Sequence, residues 1–343
     1  MPDPRDPIAD LKRIAFLLEA AQEPSYRVRA FRSAAATLAQ LSADELRTRA
    51  ATGGLRELSG IGEVTERTIL ESLRGEEPVY LRRLEATEGT PLAEGAARLR
   101  AALKGDLHSH TEASDGHFSI AEMAAVAIEL GHDYLAVTDH SPRLTIANGL
   151  STERLMAQLD EIERLNGELA PFRLLTGIEV DINEDGSLDQ SDEVLSRLDV
   201  VVGSSHSALR MPSAPMTRRM VTALANPRLD VLGHCTGRMK RRRRNRPEST
   251  FDADIVFAAA AKFDKAIEVN CLPDRLDPPK RLLRLAVEAG CRVSIDSDAH
   301  YLGQLAWVRV GCERAHLCGV RPEMIVNAMP LEALLAWTAS HEA

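Results

Sequence analysis

The order of hydrophobic and polar positions divides the chain into a helical first part and an alternating second part. Residues 8–22 and 26–41 place apolar side chains at helical spacing, and a capping sequence at 42–45 begins a third helix. From residue 105 onward, short apolar runs alternate with helical patterns at 120–130, 150–165, 192–197, 215–224, 252–263 and 279–289. Alternating strands and helices predict a parallel sheet covered by helices.

The apolar runs share a second feature, because each leads at once into imidazole, carboxylate or amide side chains. The first run precedes residues 105–116 (GDLHSHTEASDG), where His108 and His110 would project from the same face of a strand. The later runs end at His140, Glu179, His206, His234, Asn270 and the segment 296–300. Two imidazoles on one face suit a metal ion. The repetition favours a barrel whose site lies at the carboxyl ends of its strands.

Composition and charge limit the classes of protein that remain. With 343 residues, 44% of them hydrophobic, the chain can form one large α/β domain and a smaller one. No apolar run approaches the roughly 18 residues of a membrane span, and the first residues lack a secretory signal, so we expect a cytoplasmic protein without membrane contact. Five cysteines without a CxxC pair argue against a disulfide framework. The net charge of −9 means that any polyanion must bind locally.

Two glycines flank Ile61 in the sequence LSGIGEVTERTI, between helical segments. This spacing predicts a tight hairpin that exposes main-chain N–H groups at Gly60 and Gly62 to a DNA phosphate. Together with the run YRVRAFRSAA at 26–35, the order of helices resembles the N-terminal helix-hairpin-helix domain of bacterial family X DNA polymerases. The resemblance covers residues 8–85 and implies that a domain at 1–85 holds DNA by its backbone.

Residues 86–103 are expected to be a linker with a helical piece, which leaves no room for a polymerase palm before the second part begins. From residue 104 to 310 the motifs HSH, TDH, GIE, SSH, GHCTGR, EVN and DSDAH follow in order, and together they resemble the polymerase and histidinol phosphatase (PHP) family. The resemblance implies a distorted (β/α)7 TIM-like barrel over 104–343. It also implies two or three bound divalent metal ions and hydrolysis of phosphoester bonds by metal-activated water.

The metal ligands follow from the same resemblance, transferred position by position. They are His108, His110, Asp115, His140, Glu179, His206, His234, Asp298 and His300. Glu179 and Asp298 are the candidates for carboxylates that bridge two ions, and His300 is a candidate for protonating the leaving group, so these three are the expected catalytic residues. A nitrogen and oxygen ligand set without thiolate admits Zn²⁺, Mn²⁺ or Fe²⁺.

Some neighbouring groups are expected to have supporting roles. Asp106 and Asp139 flank ligands and are expected to orient imidazoles. Asn270 is expected either to support a ligand or to be only a polar group at a strand end, and His117 and His132 are expected at the surface.

Arginines after the strand ends indicate where a phosphate would bind. Arg143, Arg238 and Arg275 follow three of the predicted strands, and a guanidinium group can bind phosphate through two parallel hydrogen bonds. The basic run at 240–246 contains four consecutive arginines, Arg241, Arg242, Arg243 and Arg244. This run fits three alternatives: a track for a polynucleotide backbone, a site for a small polyanionic substrate, or a solvated loop.

The leading hypothesis is a metal-dependent phosphoesterase that acts on DNA as a 3′–5′ exonuclease, 3′-phosphatase or abasic-site endonuclease, with the helical domain presenting the substrate. A first alternative is a small-molecule phosphatase of the histidinol-phosphatase type, which would need neither the hairpin nor the arginine run. A second alternative is a non-catalytic, metal-stabilised module that binds DNA or serves as a scaffold. The complete ligand set counts against the second alternative.

Overall fold

A computed structural model describes residues 5–87, 91–241 and 244–341 of the chain. The chain divides into two compact units, Met1–Pro91 and Leu92–Ala343. Each unit has its own buried apolar cluster, because helices and sheets must cover their apolar faces to be stable.

The first unit is helical. The α-helices within its described residues are α1 (Pro7–Ala20), α2 (Ser25–Leu38), α3 (Ala43–Thr52), α4 (Glu63–Leu73) and α5 (Val79–Thr87), with a 3₁₀ turn at Gly54–Glu57. Leu11, Ile14 and Leu18 recur at helical spacing on α1 and are buried together with Phe31 of α2. Ser42 caps α3 by accepting a hydrogen bond from Glu45 N at 3.2 Å, as the capping sequence predicts.

The predicted hairpin lies between the 3₁₀ turn and α4. Ile61 is buried in the helical core, and Gly60 has a φ of +83°. A Cβ atom at Gly60 would lie 2.3 Å from Ser33 Oγ, so both the dihedral angle and the packing require glycine. Gly62 begins α4, and a Cβ atom there would meet no atom within 4 Å. Glu63 and Val64 at the start of α4 are exposed, whereas the N–H of Gly62 donates to Thr65 Oγ1 at 2.9 Å and is not free, contrary to the prediction.

The second unit contains a parallel sheet that nearly closes into a barrel, as predicted. Among the described residues, the sheet has seven strands in the order β1-β2-β3-β4-β5-β8-β9. They are β1 (Gly105–Asp106), β2 (Tyr134–Val137), β3 (Arg173–Asp181), β4 (Val200–Ser204), β5 (Val231–Leu232), β8 (Ala266–Asn270) and β9 (Arg292–Asp296). A bridge between Ser109 and Ala299 joins the chain segments that follow the first and last of these strands. The barrel fold therefore brings the carboxyl ends of all seven strands to one face.

Helices cover the sheet, and a small hairpin extends from it. The helices are α6 (Glu94–Ala102), α7 (Ile120–Glu129), α8 (Thr152–Leu169), α9 (Asp192–Leu195), α10 (Ser213–Leu224), α11 (Ala253–Lys262), α12 (Lys280–Glu288), α13 (Val308–Leu317) and α14 (Leu331–Ser340). Shorter 3₁₀ segments are Thr145–Ala147, Leu302–Trp307, Pro322–Met324 and Val326–Ala328. The hairpin pairs β6 (Met239–Arg241) with β7 (Arg244–Arg246) in antiparallel fashion. In the part of the chain that is described, no helix combines the length and the apolar character needed to cross a membrane.

The helical piece expected in the linker at 86–103 belongs to the second unit. Most of the second half of this stretch is α6, and Leu99 is buried against the same apolar cluster as Val308 and Cys312 of α13. The reason is visible in the sequence, because Ala96, Leu99 and Leu103 form an apolar stripe at helical spacing. The barrel unit consequently begins at Leu92 rather than at residue 104.

Candidate metal centre

The residues predicted as metal ligands lie together at the carboxyl ends of the strands. His108 and His110 follow β1, His140 follows β2, Glu179 lies near the end of β3, and His206 follows β4. The remaining members of the set come from the segment after β1 and from the ends of β5 and β9, and they are Asp115, His234, Asp298 and His300. Short contacts connect all of these side chains into one cluster.

Glu179 is at the middle of the cluster. Its Oε2 lies 2.8 Å from His140 Nδ1 and 3.4 Å from His108 Nε2, and its Oε1 lies 2.8 Å from His234 Nε2 and 3.4 Å from His206 Nε2. Burial would by itself raise the pKa of Glu179, but the surrounding imidazoles hold that pKa well below its ordinary value. The two carboxylate oxygens therefore face different imidazoles, which is the arrangement needed to bridge two cations.

Asp115 lies on the more open side of the cluster. Its Oδ1 is 3.4 Å from both His140 Nε2 and His300 Nε2, and 3.9 Å from His110 Nδ1. The side chains of Asp115 and His300 are 36% and 23% exposed, whereas that of His110 is fully buried. Burial, with the nearby rings of His300 and His140, lowers the pKa of His110 to about 4. His110 is therefore neutral at pH 7 and can accept a metal ion through either ring nitrogen.

Asp298 offers one oxygen to the cluster and the other to supporting groups. Its Oδ1 lies 3.3 Å from His110 Nε2, and its Oδ2 accepts a hydrogen bond from Asn270 Nδ2 at 2.9 Å. Arg275 Nε lies 3.1 Å from the same Oδ2. Asp298 has a φ of 55°, a conformation that non-glycine residues adopt at some cost, usually at functional sites. Asn270 thus supports a ligand, as the sequence indicates.

The donor atoms fit divalent cations. Three groups of side chains each have ligand atoms within 4.8 Å of one another: His110, Asp115, His140 and His300; His108, His110 and Glu179; and His140, Glu179 and His206. Several buried ring nitrogens of the cluster have no hydrogen-bond partner among the described residues, and they are His108 Nε2, His110 Nδ1 and Nε2, His140 Nδ1, His206 Nε2 and His234 Nδ1. Buried polar atoms are normally paired, so this set suits metal ions held by nitrogen and carboxylate oxygen.

Two carboxylates that orient imidazoles were missed by the sequence analysis. Glu268 Oε1 lies 2.6 Å from His108 Nδ1, and Asp181 Oδ1 lies 3.2 Å from His206 Nδ1. Both contacts turn the Nε2 atom of the ring toward the cluster. A signal was present, because Glu268 lies two residues before Asn270 and Asp181 two residues after Glu179, on the same faces of buried strands.

The expected role of Asp106 and Asp139 as partners of imidazoles was wrong. Asp139 accepts hydrogen bonds from Thr111 N at 2.8 Å and from Gln158 Nε2 at 2.6 Å, and also from Ser114 Oγ. It therefore holds the loop that carries Asp115. Asp106 accepts from His108 N at 3.1 Å and from Ser297 N at 3.2 Å, so it fixes the main chain at the closure of the barrel.

The three arginines predicted to bind phosphate differ in their surroundings. Arg275 is 9% exposed, contacts Asp298, and has a buried Nη1 without a hydrogen-bond partner among the described residues. Arg143 is exposed, and its Nη1 donates to Asn183 Oδ1 at 2.7 Å. Arg238 is buried, and each of its three side-chain nitrogens donates to an oxygen of the protein. The prediction that Arg238 grips phosphate is therefore not supported by its contacts.

Part of the predicted DNA track lies outside the described residues. This applies to Arg242 and Arg243, and to the side chains of Arg241 and Arg244, whose main chains pair in the β6-β7 hairpin.

The prediction that His132 lies at the surface was wrong, because its ring is 5% exposed and both ring nitrogens are buried. His117 is exposed as expected, and its Nε2 lies 2.7 Å from the Tyr301 hydroxyl.

Comparison with known proteins agrees with both resemblances. A PHP domain matches residues 106–271, and a helix-hairpin-helix domain matches residues 3–77. The DNA polymerase/3′-5′ exonuclease PolX of Bacillus subtilis is 40% identical over 235 residues, which are 68% of this chain. The matched region spans only 41% of that protein's length.

Shorter proteins are matched over most of their length. A probable phosphatase of Caldanaerobacter subterraneus is 31% identical over 219 residues, covering 60% of this chain and 79% of the relative. The crystal structure of histidinol phosphate phosphatase from Lactococcus lactis, complexed with Zn, L-histidinol and phosphate, covers 64% of this chain and 94% of its own. Its sequence identity is 16% and its TM-score is 0.46.

The match to the PHP domain contains most of the side chains that form the cluster, including His108, Glu179 and His234. One relative, described as a probable phosphatase, is matched over 79% of its length at 31% identity. On this evidence the chain is a phosphoesterase hydrolase that belongs to the PHP family.

Proposed function

We propose that this chain hydrolyses phosphoester bonds at the ends or abasic sites of DNA, as a 3′–5′ exonuclease, 3′-phosphatase or abasic-site endonuclease. The observation that carries the proposal is the presence of a PHP domain and a helix-hairpin-helix domain on one chain. The 40% identity to a relative described as a DNA polymerase/3′-5′ exonuclease supports the same substrate class. A phosphatase for small molecules has no need for a hairpin whose open glycine exposes the start of a helix.

In this proposal the cluster holds two or three divalent ions, Zn²⁺, Mn²⁺ or Fe²⁺, through the nine predicted ligands. Bound divalent ions activate water for attack on phosphorus and neutralise charge on the phosphoryl oxygens. Glu179 would be the ligand shared between ions, because its two oxygens face different imidazoles. Asp298 is held by Asn270 and Arg275, which leaves Oδ1 for the ions.

His300 acts as a ligand rather than as the acid that protonates the leaving group. Its Nδ1 donates to the main-chain oxygen of Asp298 at 2.9 Å, so Nε2 is the nitrogen that remains for other chemistry. Nε2 faces Asp115 at 3.4 Å, within one of the groups that suit a metal ion. A nitrogen whose lone pair binds a cation carries no proton to donate, so one atom cannot serve both roles in the same step.

Arg275 is proposed to contact the substrate phosphate. It is a buried cation beside Asp298, and the buried Nη1 has a proton that is not committed to a described residue. A charge-assisted hydrogen bond to a phosphoryl oxygen would satisfy that proton. Such a contact would bind the same group in DNA and in a small phosphate ester.

A second candidate function is a small-molecule phosphatase of the histidinol-phosphatase type. It is favoured by the relative described as a probable phosphatase, because the match to this chain covers 79% of that relative's length. The two candidates share the cluster and differ in the substrate, so they are separated by a direct comparison of substrates.

The deciding experiment incubates the full chain, reconstituted with Mn²⁺ or Zn²⁺, with 5′-labelled DNA duplexes that carry a recessed 3′-hydroxyl, a 3′-phosphate or an abasic site. Histidinol phosphate is assayed in parallel, and the His110→Ala protein is the control for contaminating nucleases. Processing of DNA that disappears in the His110→Ala protein is the expected result. Inert DNA together with rapid turnover of histidinol phosphate would replace the proposal with the second candidate.

A further inference from the structure

Two buried arginines outside the metal cluster hold the segment 270–278, which connects β8 to α12. Arg238 and Arg314 are 8% and 6% exposed. Arg238 Nε donates to Arg275 O at 2.8 Å, and Arg314 Nη1 donates to Asn270 O at 3.2 Å. The Nη2 groups of both arginines donate to Leu276 O. Two cations from different elements therefore converge on one carbonyl group.

The segment needs this support because its conformation is unfavourable. Leu276 has a φ of 47°, in the left-handed region that side chains larger than glycine's rarely occupy. Such a residue costs on the order of 1–3 kcal/mol and persists only where its surroundings hold it. Arg314 Nη2 also donates to Pro278 O, so the hydrogen bonds of this side chain span the segment from one end to the other.

Stability alone does not account for Arg314, whereas Arg238 has an ion-pair partner in Glu248 at 3.4 Å. Within the described residues Arg314 forms no ion pair, and its guanidinium is nevertheless buried. Removing an unpaired charge from water is costly even when its N–H groups are satisfied by carbonyl oxygens. An uncharged side chain could fill the same volume, so the guanidinium is explained better by the precise course it gives to the segment.

The segment delivers two side chains to one oxygen of the metal cluster. Arg275 Nε lies 3.1 Å from Asp298 Oδ2, and Asn270 Nδ2 donates to the same atom at 2.9 Å. Arg275 also keeps Nη1 buried and without a partner among the described residues. The position of this cation is therefore set by the main chain that Arg238 and Arg314 hold.

We propose that Arg238 and Arg314 are positioning residues, which fix Arg275 so that its uncommitted N–H group meets a phosphoryl oxygen of the substrate. The inference rests on the phosphoesterase site proposed above, and it does not depend on whether the substrate is DNA. It also gives Arg238 a different role from the direct phosphate contact that its sequence position indicates. Arg238 acts through Arg275 and does not itself touch the substrate.

The test measures the binding of inorganic phosphate to the metal-reconstituted full chain by isothermal titration calorimetry. Arg275→Met should weaken binding about 10- to 100-fold, because one charge-assisted hydrogen bond is lost. Arg314→Lys keeps the charge but loses the fork that reaches three carbonyl groups, and it should weaken binding about 3- to 10-fold. In the Arg275→Met background, Arg314→Lys should cause no further loss.

Arg100→Lys is the matched control, because Arg100 donates to Leu130 O in the same unit away from the cluster. It should leave phosphate binding unchanged. If Arg314→Lys fails to fold, Arg238→Lys provides the same comparison from the other side of the segment.

Two results overturn the inference while the proposed function stands. One is wild-type phosphate affinity in a folded Arg314→Lys protein, and the other is an equal loss with and without Arg275. Failure of the wild-type protein to bind phosphate at all would overturn the proposed phosphate contact of Arg275, whereas the proposed action on DNA is overturned only if the wild-type protein leaves the DNA duplexes unprocessed.

Discussion

Replacing Glu268 with glutamine should weaken metal binding, although Glu268 is not one of the predicted ligands. The side chain is fully buried, and its Oε1 lies 2.6 Å from His108 Nδ1. Its Oε2 accepts hydrogen bonds from Asn270 Nδ2 at 3.2 Å and from the main-chain N–H of His234. Glutamine has nearly the same shape, but one of its two terminal atoms donates hydrogen bonds where the carboxylate only accepts them.

Neither orientation of the glutamine amide satisfies these partners. If the NH₂ group occupies the Oε2 position, it faces two other donors. If it faces His108, then Nδ1 must accept, and the ring proton moves to Nε2, the nitrogen turned toward the cluster. A neutral ring protonated at Nε2 cannot bind a cation through that atom. We expect Glu268→Gln to make the free energy of metal binding about 1.5–3 kcal/mol less favourable, which corresponds to roughly a 10- to 100-fold loss of metal affinity.

The assay is a titration of Mn²⁺ or Zn²⁺ against a competing chelator, with thermal unfolding in chelator alone as the check on folding. Glu163→Gln on the exposed surface of α8 makes the same chemical change away from the cluster and should bind metal like the wild type. A folded Glu268→Gln protein with wild-type metal affinity would refute the claim that Glu268 sets the proton position on His108.

Three further predictions concern other parts of the chain. Burial lowers the pKa of His132 to about 4. As the pH falls from about 6.5 to about 4, the unfolded chain therefore takes up a proton that the folded protein does not. Up to roughly 3 kcal/mol of stability is lost over this range. His132→Leu should flatten this dependence in urea unfolding, and equal slopes for the two proteins would contradict the buried, neutral ring. Gly60→Ala should lower the free energy of unfolding by about 1–3 kcal/mol, because the new Cβ atom would lie 2.3 Å from Ser33 Oγ at a φ of +83°. Gly62→Ala is the control, because a Cβ atom there meets open space. Equal unfolding midpoints of the two variants would contradict this prediction. Neutralising the four arginines at 241–244 should reduce activity on DNA more than activity on a chromogenic phosphate ester. The slope of log K for DNA binding against log salt concentration should become shallower by up to about 0.9 per lost phosphate contact. Equal losses of activity on both substrates would argue against a DNA track.

The strand ends were predictable because two simple periodicities combine there. A parallel strand in a barrel is apolar along its length, and its first polar side chain marks the carboxyl end. This is why His140, Glu179 and His206 could be placed together from the sequence. The helices between the strands followed from apolar stripes at helical spacing, and in the structure Ser119 and Ser151 cap two of them.

The groups that support the ligands were harder to predict, because their partners are distant in the sequence. Glu268 is 160 residues from His108. Asp139 hydrogen-bonds to the loop that follows His110 and not to an imidazole ring. Both Arg238 and Arg275 follow predicted strands, so the sequence could not distinguish their roles. Only the fold shows that Arg275 contacts Asp298 whereas Arg238 donates to main-chain oxygens. The last helices, α13 and α14, were not assigned from the sequence at all.

The proposed function requires that one metal cluster carry out all phosphoester hydrolysis by this chain. The most direct measurement follows hydrolysis of a chromogenic phosphate ester and of labelled DNA by the wild-type, His110→Ala and Asp298→Ala proteins in metal-controlled buffer. Wild-type activity should disappear with chelator and return with Mn²⁺ or Zn²⁺, while both variants stay inactive on every substrate under all conditions. Turnover of either substrate by a variant under the same conditions would show that the metal cluster is not the only site of hydrolysis.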